Sequence, residues 1–124
     1  MLEHRDLTDR VIGLAIEVHR HTGPGLLESF YRECLCLELA GAGIAAQSEV
    51  VVPAFYKGLS IPMGFRADIV VENRVIVEIK AAADLVPAHD SQLITYLRMS
   101  QIRVGLLMNF RVPRLKDGLK RFIV

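Results

Sequence analysis

Leu7, Val11, Leu14, Ala15 and Val18 recur at helical spacing and mark one apolar face of a first helix. Asp6 or Thr8 is placed to cap its start, and Gly23-Pro24 stops it. A second helix is expected from about Leu26 to Ala40, ended by "GAG" at 41–43. The period then changes to that of strands. "SEVVVPAFY" (48–56) is rich in β-branched and aromatic residues, and its Pro53 predicts an edge position or a bulge. "YKGLS" reads as a turn. "GFRADIVV" (64–71) and "RVIVEIKA" (74–81) are two strands joined by "ENR", hence a hairpin. Pro87 opens a third helix reaching about Met99. "RVGLLMNF" (103–110) is a buried strand, and "LKRFIV" (119–124) adds a final one. The order ααβββαβ, with that extra C-terminal strand, predicts an α/β fold: a mixed sheet with helices on its faces.

The hairpin strands break their own rule. Near-continuous apolar runs belong to strands buried on both faces, yet Asp68, Glu78 and Lys80 interrupt them. Side chains alternate along a strand, so Glu78 and Lys80 share one face with Ile76, while Val75, Val77 and Ile79 take the other. A hairpin centred on Asn73 sets Val71 opposite Val75 and Asp68 opposite Glu78. Two carboxylates so placed repel unless something compensates. A divalent cation, a shared proton or a nearby lysine would each serve. Hard oxygen donors suit Mg²⁺ or Mn²⁺. The competing reading is a solvated strand face of alternating charges. A register slip of one residue would separate the pair.

Composition adds bounds. A chain of 124 residues, 52% hydrophobic and 23% charged, fits one domain over residues 1–124. No run of about 18 apolar residues offers a membrane span, and the polar start "MLEHRDLTDR" is unlike a signal peptide. A cytoplasmic location is expected. Cys34 and Cys36, two apart on a helix, do not face each other and are read as small packing residues. The net charge of +1 is unevenly spread: residues 98–124 carry seven Lys/Arg against one acid. Such a segment can meet phosphate or merely offset the acidic remainder. "GPGLLES" lacks the G-K-[ST] ending of a phosphate-binding loop.

Asp68 followed by "Glu78-Ile79-Lys80" resembles the signature of the PD-(D/E)xK nuclease superfamily, an acid on one strand and E-x-K on the next. "GLLESFY" (25–31) looks like the G-x-x-E-x-x-Y motif of the GxxExxY protein family, with Gly25, Glu28 and Tyr31 at the matched positions. "QLITYL" (92–97) contains the Q-x-x-x-Y pattern of the exonuclease-like branch, at Gln92 and Tyr96. Physical reasons accompany each. Glu28 lies in a first helical turn, where negative charge is favoured, although a simple dipole role is the alternative. Glu28 and Tyr31 are three apart, and Gln92 and Tyr96 four apart, so each pair shares a helical face. Gly25 permits a tight approach to the helix start. His89 and His19 are lesser candidates, and His4 and His21 are read as surface residues.

The resemblance implies a restriction-endonuclease-like core, αβββαβ around a four-stranded mixed sheet, here with an extra N-terminal helix. It implies Mg²⁺ (or Mn²⁺) held by Asp68, Glu78 and the carbonyl of Ile79, with Glu28 adding a carboxylate directly or through water. The implied reaction is hydrolysis of DNA or RNA phosphodiesters, with Lys80 positioning water or stabilising charge. Gln92, Tyr96 and Tyr31 would meet nucleic acid near the scissile phosphate. Arg111, Arg114, Lys116, Lys120 and Arg121 would contact its backbone. A short chain leaves little room for a sequence-reading module, so specificity would come from a homodimer or a protein partner. Two other classes stay open: an inactive nucleic-acid- or protein-binding module on the same fold, and a metal phosphoesterase acting on small esters.

Overall fold

In the computed structural model, residues 3–124 are described. Strands β1 (Ala46–Tyr56), β2 (Leu59–Val71), β3 (Val75–Lys80), β4 (Val104–Asn109) and β5 (Leu119–Ile123) form one mixed sheet in chain order. β3 and β4 are parallel and the other neighbours antiparallel. The parallel pair requires a crossover, supplied by helix α3 (Pro87–Ser100). Helices α1 (Arg5–Thr22) and α2 (Glu28–Gly41) cover the opposite face. No described helix is long and apolar enough to cross a membrane.

The two coats explain the doubly apolar strands. Val75, Val77 and Ile79 of β3 pack with Leu7, Val11, Tyr31 and Leu35 of the first two helices. Ile76 turns the other way, with Val70, onto Leu93, Tyr96 and Leu97 of α3. Gly105 lets α3 approach β4: a Cβ there would stand 3.0 Å from Leu93 and from Leu97. The final strand is present as expected, making five strands rather than four. Pro53 fulfils both of its readings, since β1 is an edge strand and its register with β2 shifts between Pro53 and Ala54.

Two details correct the expected pattern. The α1 cap falls earlier, at His4 in the left-handed region, and Thr8 inside the helix donates to the carbonyl of Arg5. The second helix begins at Glu28 because residues 23–27 are tied down. Gly23 and Gly25 have φ of 73° and 90°, conformations glycine adopts readily. The Tyr31 hydroxyl donates to the Gly23 carbonyl at 2.6 Å and accepts the Leu26 N–H at 3.0 Å. Its ring, fully buried, stacks on Phe110 at 4.4 Å. Tyr31 therefore offers no surface to nucleic acid; it fastens the α1–α2 loop to the core. Cys34 and Cys36 are free and half-buried against that same core.

Tyr31→Phe keeps the stack and removes both loop hydrogen bonds. It is expected to lower stability by about 1–2 kcal/mol, read as a lower urea midpoint with an unchanged slope.

Candidate active site

The hairpin register is the one the sequence predicts: Val71 faces Val75, Val70 faces Ile76 and Ile69 faces Val77. The ladder then ends. Asp68 and Glu78 do not pair through their backbones, because β2 leaves β3 at that point and the two acidic side chains fill the fork. The Asp68 carboxylate accepts the Ile79 N–H at 2.7 Å, and the Glu78 carboxylate accepts the Asp68 N–H at 3.4 Å. Each acid is held by the backbone of the opposite strand. Glu49, the edge-strand residue facing this point, has φ of 51° and drops out of the pairing, while the register on either side is unchanged.

Glu78 is 2% exposed, and Asp68 is half-buried. Burial foremost, then hydrogen bonding to the Asp68 side chain and the Asp68 charge, push the Glu78 carboxyl up to about 9; Lys80 and the Asp68 backbone N–H pull partly the other way. Lys80 forms no ion pair with either acid. Its ammonium donates to Gln92 Oε1 at 2.9 Å, and Gln92 Nε2 donates to the Tyr96 hydroxyl at 2.9 Å. Burial, with the Glu78 and Asp68 charges, raises the Tyr96 phenol above its ordinary range, against hydrogen bonds from Gln92 and the Arg66 backbone. The Tyr96 ring lies 5.4 Å from that of Phe65 on β2. Asp68 and Glu78 thus form one polar pair between β2 and β3, and Lys80, Gln92 and Tyr96 a hydrogen-bonded chain from β3 to α3 near it.

Glu28 stands apart from both. Its carboxylate accepts the Ala81 N–H at 3.3 Å, just past the end of β3. Among the described residues no three His, Cys, Asp or Glu side chains gather closely enough to enclose a metal ion. The close pair is Asp68 and Glu78, and Glu28 does not join them directly. Two open clefts flank the Lys80 end. One, of about 290 Å³, is lined by Phe65, Gln92 and Tyr96, and the other, of about 370 Å³, by Leu26, Leu27, Glu28 and Ala81.

The five basic residues do not share one surface. Lys120 reaches the α3 side, where it binds Asp90 at 3.1 Å, while Arg121 turns to the α1 side and binds the Glu3 carbonyl. Arg114 lies 4.0 Å from Asp117, and with Lys116 it lines a hollow beside Ile16 and His19. Arg111 is exposed and directly follows the site edge, its N–H bound to Asn109 Oδ1. His19 is buried against the Val112 carbonyl, and His89 accepts the Val86 N–H at the start of α3. Asn109 is a site residue that the hydrophobic pattern did not single out. Buried at the end of β4, beside Lys80, it accepts the Ala82 N–H and donates to the Ala82 carbonyl. It holds the chain that leaves the site. A lone amide closing the apolar strand "VGLLMN" was the available signal.

A family model described as the PD-(D/E)XK nuclease superfamily matches residues 5–122. No curated protein matches. Among solved structures, the crystal structure of SSO0001 is similar at 22% identity and a TM-score of 0.59, over 77% of this chain and 48% of that one. The chain thus spans about half the length of that protein. An alkaline exonuclease from Laribacter hongkongensis is similar at 13% identity and a TM-score of 0.52, over 99% of this chain and 72% of that one. These likenesses extend to the fold: an open mixed sheet flanked by helices, as in restriction-endonuclease-like nucleases.

The Glu78 shift has a measurable sign. Between the ordinary 4.5 and about 9, the folded chain keeps a proton that the unfolded chain has released. Stability contributed at Glu78 is therefore complete below the lower value and lost as pH rises toward the upper one. With chelator present, Glu78→Gln is expected to gain on the native chain as pH rises through that window. The gap in thermal midpoint should be near zero at the acid end and several degrees at the alkaline end.

Proposed function

This chain belongs to the PD-(D/E)XK nuclease superfamily, and from that membership we propose that it is a metal-dependent nuclease hydrolysing DNA or RNA phosphodiesters. The observation that carries the reading is the fork, where two carboxylates meet beside an ammonium group held by a third side chain. The donor set suits Mg²⁺ or Mn²⁺. Two hard carboxylates and the Ile79 carbonyl match an ion that keeps several of its waters, and a buried acid pair lacking an ion-pair partner is relieved by positive charge. Asp68, Glu78 and the Ile79 carbonyl would hold the ion, with Glu28 acting through water from the end of β3. When bound, the ion supplies Lewis-acid polarisation of a phosphoryl oxygen and a water of lowered pKa.

The chain's own groups do the rest. Gln92 fixes the Lys80 ammonium, and Tyr96 fixes Gln92, so the positive charge is oriented before substrate arrives. Lys80 then steadies charge developing on the phosphate or orients the attacking water. The clefts on either side of Lys80 give a strand room to pass. Arg111, exposed beside the site edge, contacts backbone phosphate. The stretches Gly25–Tyr31 and Gln92–Tyr96 narrow the reading to a GxxExxY-type protein near the exonuclease-like branch. The domain spans residues 1–124, works in the cytoplasm, and takes its specificity from a second copy or a protein partner.

The test is a panel of single- and double-stranded DNA and RNA, with small phosphate esters, assayed with Mg²⁺ and Mn²⁺. Polymer cleavage is expected, falling about 100-fold or more in Glu78→Ala and Lys80→Ala. Either metal should raise the native thermal midpoint, and Glu78→Ala should abolish that rise. Absence of any metal-dependent polymer cleavage overturns the reading in favour of a binding module. Cleavage of small esters alone overturns it in favour of a phosphoesterase.

A further inference from the structure

β3 stops at Lys80 and β4 at Asn109, but the β1–β2 hairpin does not stop at Asp68. Its pairing continues from Val50↔Ala67 to Tyr56↔Leu59. Eight residues of β2 lie beyond Ala67, a projection of roughly 20 Å past the edge that carries the acid pair. Val50, Val52 and Phe65 root this arm on α3. Past them most of its large side chains face solvent: Phe55 is 46% exposed, Tyr56 63%, Leu59 69% and Met63 71%. So much apolar surface on a projecting hairpin needs a partner.

The arm's charge and position select one. Residues 50–67 hold Lys57 and Arg66 and no acid. The Lys57 ammonium lies 5.5 Å from the centre of the Tyr56 ring and, among the described residues, has no acid within ion-pair distance, whereas Arg66 has Glu49 at 3.7 Å. Val50 and Val52 root the Tyr56 strand on the side of α3 and the site. Phe65 leads from the arm to Tyr96, and from there hydrogen bonds run through Gln92 to Lys80. Exposed aromatic faces with interleaved cations stack on bases, and only unpaired bases present a free face. A duplex offers phosphates and groove edges, which two cations and an apolar tip match poorly.

We propose that the β1–β2 arm grips single-stranded nucleic acid, with Tyr56 as the stacking platform and Lys57 on the adjoining phosphate, and feeds it to the Asp68–Glu78 edge. The proposal deepens the nuclease reading and rests on it for the substrate class. It is tested without turnover. Fluorescence anisotropy of a short labelled oligothymidylate is followed in chelator, beside a blunt duplex of the same length. The native chain should prefer the single strand. Tyr56→Ala should bind about tenfold more weakly. Lys57→Glu should bind more weakly and lower the salt slope by about one. Leu37→Ser, an equally exposed apolar change on α2, should bind as the native chain does. Native-like binding by both arm variants, or equal affinity for the duplex, overturns the proposal. So does a sedimentation result in which Leu59→Asp splits a dimer while single-strand affinity is unchanged, since a second copy would then be the arm's partner. A chain that cleaves with Mg²⁺ while both arm variants bind normally loses this inference alone. One that grips through the arm but never cleaves loses the nuclease reading alone.

Discussion

The site depends on one backbone event: β2 and β3 part beyond the Ile69↔Val77 pair, on the Asp68 side. Separation strips the Ile79 N–H of the strand partner it would otherwise have, inside a sheet coated on both sides. A buried N–H left unpaired is costly. The Asp68 carboxylate takes that bond, and the Glu78 carboxylate takes the N–H of Asp68. The acids are thereby located by the sheet and not by a loop. Groups carried on rigid elements and fixed by their neighbours hold their geometry more closely than groups on mobile segments.

The helices complete the arrangement from opposite sides. α3 buries Ile76 and Val70, and that same coat desolvates Glu78. Its polar row, Gln92 and Tyr96, runs over the site and draws the Lys80 ammonium to itself. α2 brings Glu28 to the Ala81 N–H from the other face, and Asn109 holds Ala82. The departing chain at 81–82 is thus fastened on two sides, which fixes the carbonyl end of β3 where Ile79 and Lys80 lie.

Much of this was legible in the sequence, and the failures have definite causes. Period-two runs broken by "ENR" gave the hairpin and its register correctly, because a three-residue loop between buried strands leaves little freedom. Alternation could not say where the strands part, so Asp68 was expected to face Glu78 across a ladder that ends one pair sooner. Tyr31 shares a helical face with Glu28 only loosely. Glu28 sits at the exposed helix start, and one turn later the chain is already over the core at Phe110. A count of charge along the chain could not show that the basic residues lie on different surfaces. Alternation along the final strand, which the sequence did predict, sends Lys120 and Arg121 to opposite faces.

The cost of the fork bears on what occupies it. Two carboxylates on an open surface would be screened and would mean little. Here one is almost wholly buried and the other touches it, and desolvation and repulsion both disfavour charge. The nearest cation on β3 is turned toward a glutamine, and among the described residues neither acid has an ion-pair partner. A proton retained on Glu78 up to about 9 supplies that compensation. A sequence that departs from local rules at one place, while obeying them along both strands around it, marks that place as a candidate site.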